Sequence, residues 1–254
     1  MMARRRFFVD AIKRGHAQII GQDAHHLSRV LRVEPGQKFE ISDNHNLYLA
    51  EVETARKDLI SFTVLSQVEV TPLPLHTSLF AALTKFERFE WMLEKATELG
   101  VETVTPVETD RTEKGLEAAA RKRLARWQRI AREASEQSRR VHLPTIEEPM
   151  RFDDVLREDP GYRFALVEAG GRPIISVLPE TRTSEDRVSI LVGPEGGWTD
   201  RERAALPSLG WQAASLGGNI LRAETAAIAG LAIVNAAWDS GVVEQDVEST
   251  QEEP

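Results

Sequence analysis

A chain of 254 residues with 41% hydrophobic content has room for one large domain or two smaller ones and can bury a core. It contains no cysteine, which excludes a disulfide framework, a thiolate nucleophile and cysteine-ligated zinc or iron–sulfur clusters. The formal net charge of −8 argues against a nucleic-acid partner until its distribution is read: five acids and no base lie in 241–254, whereas seven Lys or Arg stand against two acids up to Arg32.

The elements follow in chain order. No apolar run approaches the roughly 18 residues needed to cross a bilayer, and the opening residues lack the apolar stretch of a signal peptide, so the chain is expected in the cytoplasm. Up to about residue 70, alternating and β-branched segments predict short strands at Arg6 to Val9, Gln18 to Ile20, Lys38 to Ser42, Leu47 to Val52 and Ile60 to Leu65. Glu34 to Gln37 carries Pro and Gly where a type II turn wants them. One helix interrupts, Asp23 to Leu31, with Asp23 as N-cap and Leu27, Val30 and Leu31 on one face. A small β-barrel over 1–70 fits this pattern.

Two prolines two apart, Pro72 and Pro74, mark 71–75 as an extended linker. Beyond it, strands at Leu75 to Leu83, Thr103 to Val107, Arg163 to Glu168, Val188 to Val192 and Ala213 to Leu216 alternate with helices. The helices are predicted at Phe86 to Leu99, Leu116 to Arg140, Asp200 to Leu206 and Glu224 to Trp238. Such alternation predicts an α/β domain over 76–240 with a mostly parallel sheet. The acidic stretch 241–254 has the composition of a disordered tail.

Two strands run into glycine-rich turns, Leu191 to Gly197 (Leu-Val-Gly-Pro-Glu-Gly-Gly) and Leu216 to Ala226 (Leu-Gly-Gly-Asn-Ile-Leu-Arg-Ala-Glu-Thr-Ala). Glycines at the carboxyl end of a strand let backbone groups approach a ligand, and in open α/β sheets that edge holds cofactors. Neither turn is a dinucleotide or phosphate-loop pattern. Of the six histidines only His25 and His26 are close together, and no metal-binding spacing occurs.

These motifs resemble the cofactor signature of SPOUT-type methyltransferases, which bind S-adenosylmethionine in a deep trefoil knot. More narrowly, the chain resembles the ribosomal RNA small subunit methyltransferase E family, which methylates N3 of a uridine in 16S rRNA. Segments His25 to Val33, Lys85 to Gly100 and Glu133 to Arg139 match as well, and the likeness runs from about Arg5 to Trp238. It implies a PUA-like barrel that helps hold RNA, an α/β knot, and a homodimer. By this likeness Leu166, Glu168, Leu191, Gly193, Gly196, Leu216, Leu221 and Ala226 form the adenine and ribose pocket. Arg222 is the first catalytic candidate, because a guanidinium stays protonated and can stabilise charge developing on uracil oxygens. Glu224, two residues on, either orients Arg222, accepts a proton or simply suits a helix N-terminus.

The RNA itself is expected on basic residues. Between Arg111 and Arg140 ten Lys or Arg face four Glu, an excess too large for pairing within one helix. That points to phosphate contacts by Arg132, Arg139 and Arg140, extended by Arg4, Arg5, Arg6, Arg29 and Arg32. Phe86 and Trp198 flank the expected site and are either core residues or a wall for the target base. The last helix holds seven alanines and one glycine, small enough for a close helix contact within or between subunits. Two alternatives stay open: another knotted enzyme acting on a ribose 2′-oxygen, or a non-catalytic RNA-binding assembly factor.

Overall fold

The computed structural model describes residues 5–71, 73, 75–155 and 161–240. Arg4, the two prolines of the expected linker and the acidic stretch 241–254 lie outside the described residues.

The first part of the chain forms β1 (Arg6–Phe8), β2 (His16–Ile20), α1 (Gly21–Arg29), β3 (Lys38–Ser42), β4 (Leu47–Ala55) and β5 (Leu59–Val68). The five strands make one sheet in the order β1-β3-β4-β5-β2, antiparallel except where β1 joins β3. Two register shifts in the β4–β5 ladder, at Leu49/Ala50 and Val52/Thr54, add local twist and coil the sheet. Its inner face buries Ile41, Ala50, Val52, Ile60 and Phe62, and α1 covers that core with Ala24 and Leu27. The pairing runs from edge β1 to edge β2 among the described residues, so the expected barrel is a curved open sheet in its hydrogen bonding.

Helix α1 starts two residues earlier than its sequence suggests. Ile20 occupies the N-cap and Asp23 sits in the first turn, where its charge still suits the helix dipole. Val30, expected on the buried face, is 64% exposed because the helix has ended before it.

The second part comprises β6 (His76–Ala82), α2 (Phe86–Glu98), β7 (Thr103–Glu108), α3 (Leu116–Arg121), α4 (Leu124–Gln137), β8 (Thr145–Ile146), β9 (Met150–Arg151) and α5 (Phe152–Val155). It continues with β10 (Tyr162–Leu166), β11 (Arg172–Pro173), β12 (Arg187–Val192), α6 (Asp200–Ser208), β13 (Gln212–Ser215) and α7 (Ala223–Asp239). The sheet order is β11-β13-β10-β12-β6-β7-β8, with β9 also on β7, and every pair is parallel. β12 therefore lies between β6 and β10, and β13 between β10 and β11, so later strands are received between earlier ones. The central strands read as continuous apolar runs because both faces of a parallel sheet are covered: β12 is buried from Val188 to Val192.

Helix α2 buries Phe89, Met92, Leu93 and Ala96 at helical spacing and packs on α4 and α7. Gly100, at φ +92, turns the chain out of it. Trp127 of α4 is fully buried, its ring 4.5 Å from that of Phe89. The single helix predicted from Leu116 to Arg140 is broken in two. The Arg123 N–H bonds the carbonyl of Ala120 at 2.8 Å, a tight three-residue step that apolar spacing does not reveal.

The two sheets meet at the end of α4. Arg6 is buried and its guanidinium forks onto Glu40 at 3.1 and 2.7 Å while donating to the carbonyl of Arg139. Arg139, held at φ +60, reaches the same carboxylate at 2.9 Å. Ser42 donates to the carbonyl of Val141 at 2.6 Å, and the N–H of Leu143 donates to Asn44 at 2.7 Å. Burial opposes ionisation of Glu40, but hydrogen bonds from Arg139 and Arg6 outweigh it and hold the carboxyl below its usual value. Glu136 of α4 differs: burial pushes it up to about 7 against the pull of the Phe8 N–H and Arg132.

Among the described residues, no helix is long and apolar enough to cross a membrane.

Candidate active site

The carboxyl ends of β10, β12 and β13 open onto one cleft with about 1000 Å³ of space, mouth included. Its walls are residues 166–168, 192–195, 197–198, 216–217 and 219–223, with Arg88 from α2, Arg203 from α6 and Ala226 from α7. This is where an open parallel sheet places ligands, at strands whose neighbours come from different stretches of chain.

The two turns are shaped by contacts that only glycine allows. A Cβ on Gly193 would sit 2.7 Å from Cε2 of Trp198, so the indole packs directly on the backbone. The Trp198 indole N–H in turn donates to the carbonyl of Leu166 at 3.0 Å, closing the first turn against β10. Gly217, at φ +125 with nothing within 4 Å of an added Cβ, leaves its side of the cleft open, its N–H and carbonyl both meeting the Ser215 hydroxyl at 3.2 Å. Arg222 follows as the N-cap of α7, extended at φ −66 and ψ 152, and its side chain is exposed at the mouth.

Six of the eight residues assigned to the cofactor line this cleft: Leu166, Glu168, Gly193, Leu216, Leu221 and Ala226. Leu191 does not. It is fully buried, packed in the core with Phe80 and Trp211 one position before Val192, where β12 reaches the cleft. Gly196 faces outward, where a Cβ would meet Arg111 at 3.2 Å. Glu224 is 7% exposed and is not a wall of the cleft, yet its Oε2 is buried with no hydrogen-bond partner among the described residues. Trp198 is core and cleft wall at once, being 4% exposed. Phe86 instead packs edge-on to Trp127, with the Arg123 guanidinium 4.2 Å over its ring.

The sequence did not flag Arg88, Arg203 or Ile220 as cleft residues. Arg88 reaches Glu195 of the first turn across 107 residues of chain, a distance no local pattern spans. Ile220, 80% exposed between the second turn's glycines and Arg222, was the one detectable signal, since a large apolar residue in a glycine turn has no core to join.

The arginines assigned to RNA separate into two groups. Arg5, Arg29 and Arg32 are exposed, with no ion pair among the described residues. Arg6 and Arg139 are committed to Glu40, and Arg140 donates to the carbonyls of Thr97 at 2.8 Å and His142 at 3.1 Å. Burial pushes Arg140 down to about 10. Arg132 bonds the carbonyl of Phe8 at 3.3 Å beside Asp23. The positive excess around α3 and α4 is thus answered in part from other elements: Arg123 and Arg126 share Glu90 of α2, and Arg121 reaches Glu148 as well as Glu117 of its own helix. That argues against phosphate contacts by buried Arg6 and by Arg140, whose donors are turned to protein acceptors, whereas Arg139 is exposed and engages Glu40 through one nitrogen alone. Among the described residues, no group of three or more His, Asp or Glu is placed to hold a metal ion.

The comparisons with known proteins agree with this geometry. Residues 71–235 match the RNA methyltransferase domain and residues 19–65 the RNA methyltransferase PUA domain. Over 223 residues, 85% of this chain and 71% of the relative, the sequence is 34% identical to ribosomal RNA small subunit methyltransferase E of Synechocystis sp.. The crystal structure of the Neisseria gonorrhoeae ribosomal RNA small subunit methyltransferase E bound to S-adenosylmethionine superposes with a TM-score of 0.84. That match has 27% identity and covers 92% of this chain and 98% of the other. A Legionella pneumophila structure in complex with S-adenosylmethionine gives the same TM-score at 28% identity, covering 93% of this chain and 98% of the other. The chain belongs to the ribosomal RNA small subunit methyltransferase E family, an RNA methyltransferase domain joined to a PUA domain.

Proposed function

We propose that this protein methylates N3 of a uridine in 16S rRNA of the small ribosomal subunit, using S-adenosylmethionine. The observation that carries the reading is the convergence of both glycine turns on one cleft with Arg222 at its mouth. The residues fit the cofactor. The backbone of the second turn is reached without a side chain in the way at Gly217, whose carbonyl keeps a lone pair beside its bond from Ser215, and Leu166, Leu216 and Leu221 supply apolar cover for the faces of an adenine.

S-adenosylmethionine, when bound, supplies an activated methyl group. The chain must then align a uracil N3 with it and favour loss of the N3 proton, which leaves negative charge on the neighbouring carbonyl oxygens. Arg222 meets that charge with fixed donors, and as a permanently protonated group it is not the base. Glu224 acts from behind the cleft wall. Its unpartnered carboxylate oxygen is costly to bury unless a proton or a donor reaches it, which suits a group that orients Arg222 or takes the proton.

The same reading gives the chain an RNA-holding domain over 1–70, a linker at 71–75 and a methyltransferase domain over 76–240. The strands received late between earlier ones would belong to a trefoil knot, and α7, with its seven alanines, would lie at a homodimer interface in the cytoplasm. RNA would contact Arg5, Arg29 and Arg32 and the arginines of the cleft mouth.

Mass spectrometry of 16S rRNA nucleosides from cells with and without the protein tests the reading. Loss of 3-methyluridine is the expected result. Loss of a 2′-O-methylated nucleoside instead would move the target to ribose, and no change in any methylated nucleoside would leave an assembly factor.

A further inference from the structure

The loop after β7 grips the first glycine turn from outside the cleft. Nη1 of Arg111 donates to the carbonyl of Gly197 at 3.2 Å and also to that of Gly196. No carboxylate pairs with Arg111 among the described residues, so the guanidinium is spent on two carbonyls of the turn. Arg111 is not one of the residues lining the cleft. The two carbonyls it engages belong to the peptides 196–197 and 197–198, and because a peptide is planar, fixing each oxygen fixes the plane.

Arg111 is itself held in place. The N–H of its neighbour Asp110 donates to Glu202 at 2.9 Å, and the Asp110 carboxylate takes Arg201 at 2.7 and 2.9 Å and the Thr199 hydroxyl at 2.9 Å. Glu202 is fully buried and also closes the capping box at Thr199. The turn is closed from its other side by the Trp198 bond to Leu166 and by the Gly197 N–H on the carbonyl of Pro194 at 2.8 Å. Gly197, at φ +73, takes a backbone state that other residues rarely adopt, and a Cβ there would come 3.6 Å from the Glu168 carboxylate. A turn that rests on two anchors keeps its shape only while both hold.

We propose that Arg111 is a positioning residue for the cofactor: from outside the cleft it holds the Gly196–Gly197 carbonyls so that the first turn keeps the shape that receives S-adenosylmethionine. This rests on the functional reading above.

Calorimetric titration of the full chain with S-adenosylmethionine tests it. Arg111→Ala should raise the dissociation constant by about tenfold or more, since small misplacements of a preorganised site carry large penalties. In turnover the loss should fall on KM for S-adenosylmethionine, with kcat at saturation within about threefold of the unmodified chain. Arg111→Lys keeps a charge and rotatable donors, so it should recover part of the affinity. Arg121→Ala removes an exposed guanidinium of the same domain that pairs with Glu117 and Glu148, away from the glycine turn and from the Asp110 network, and should bind within about threefold of the unmodified chain. Unchanged affinity in Arg111→Ala overturns the proposal, and so does an equal loss in Arg121→Ala, which would mean general loosening. An unmodified chain that takes up no S-adenosylmethionine overturns instead the functional reading, and the role of Arg111 with it.

Discussion

Arg222 at the cleft mouth and Arg6 at the junction of the two sheets are the same side chain put to opposite uses. Arg222 projects from a helix N-cap into an open cleft and has no acidic partner among the described residues. Arg6 is 7% exposed and ends on Glu40 and a backbone carbonyl. What separates them is whether another element brings an acceptor within reach. A guanidinium with buried acceptors is a structural strut, and one facing an open cleft is available to a ligand.

That contrast yields effects of decreasing size. Arg222→Ala should lower turnover by roughly 10²- to 10³-fold, the usual loss when a donor to a developing oxyanion is removed. Its unfolding midpoint in urea and its S-adenosylmethionine affinity should stay near those of the unmodified chain, and a comparable loss in affinity would make Arg222 a cofactor ligand instead. Glu40→Ala should do the reverse. It leaves Arg6 buried without its carboxylate and should cost about 3 kcal/mol in urea unfolding, with the cofactor affinity of the surviving folded protein unchanged.

Glu136→Gln probes the same junction through pH. Because the folded carboxyl is raised from 4.5 to about 7, its contribution to stability is fully present below the lower value and is lost as pH rises through the higher one. The Gln variant should match the unmodified chain near pH 4 and exceed it by about 2 kcal/mol near pH 8, read from urea midpoints across that range. A constant gap at all pH values would place the effect in packing. The smallest effect is expected on the first domain, where Arg29 and Arg32 are exposed. Replacing both with Ala should flatten the logarithmic salt dependence of RNA binding by about one per lost phosphate contact, and an unchanged slope would remove them from the RNA surface.

How far these roles could be read from the chain depended on whether their partners are near in sequence. The glycine turns are local statements: Gly193 next to Trp198 and Gly217 before Arg222 carry their shape within a few residues, and both strands and turns were legible. Leu191 points into the core one position before Val192, the residue of β12 that does line the cleft, because successive strand residues face opposite sides of the sheet. The basic excess between Arg111 and Arg140 was harder to read for a larger reason. Glu90, which neutralises Arg123 and Arg126, lies more than 30 residues away, and Glu40 lies nearly 100 from Arg139. A charge excess counted along one helix takes no account of acids that folding brings to it. The two-residue strands β8, β9 and β11 were also invisible, being too short to show a period.

The late placement of β12 and β13 bears on when the site comes into being. Both strands enter gaps bounded by strands made earlier in the chain, and each carries one of the two turns. During synthesis the first sheet and the outer strands of the second can form while the cleft still lacks two of its three floors. Contacts between such distant segments are slow to close, so the docking of these two strands is a natural rate-limiting event in folding. A nascent chain that has emerged only as far as α5 already holds Arg5, Arg29 and Arg32, and yet has only Arg88 of the pocket. The ability to touch RNA would then precede the ability to modify it.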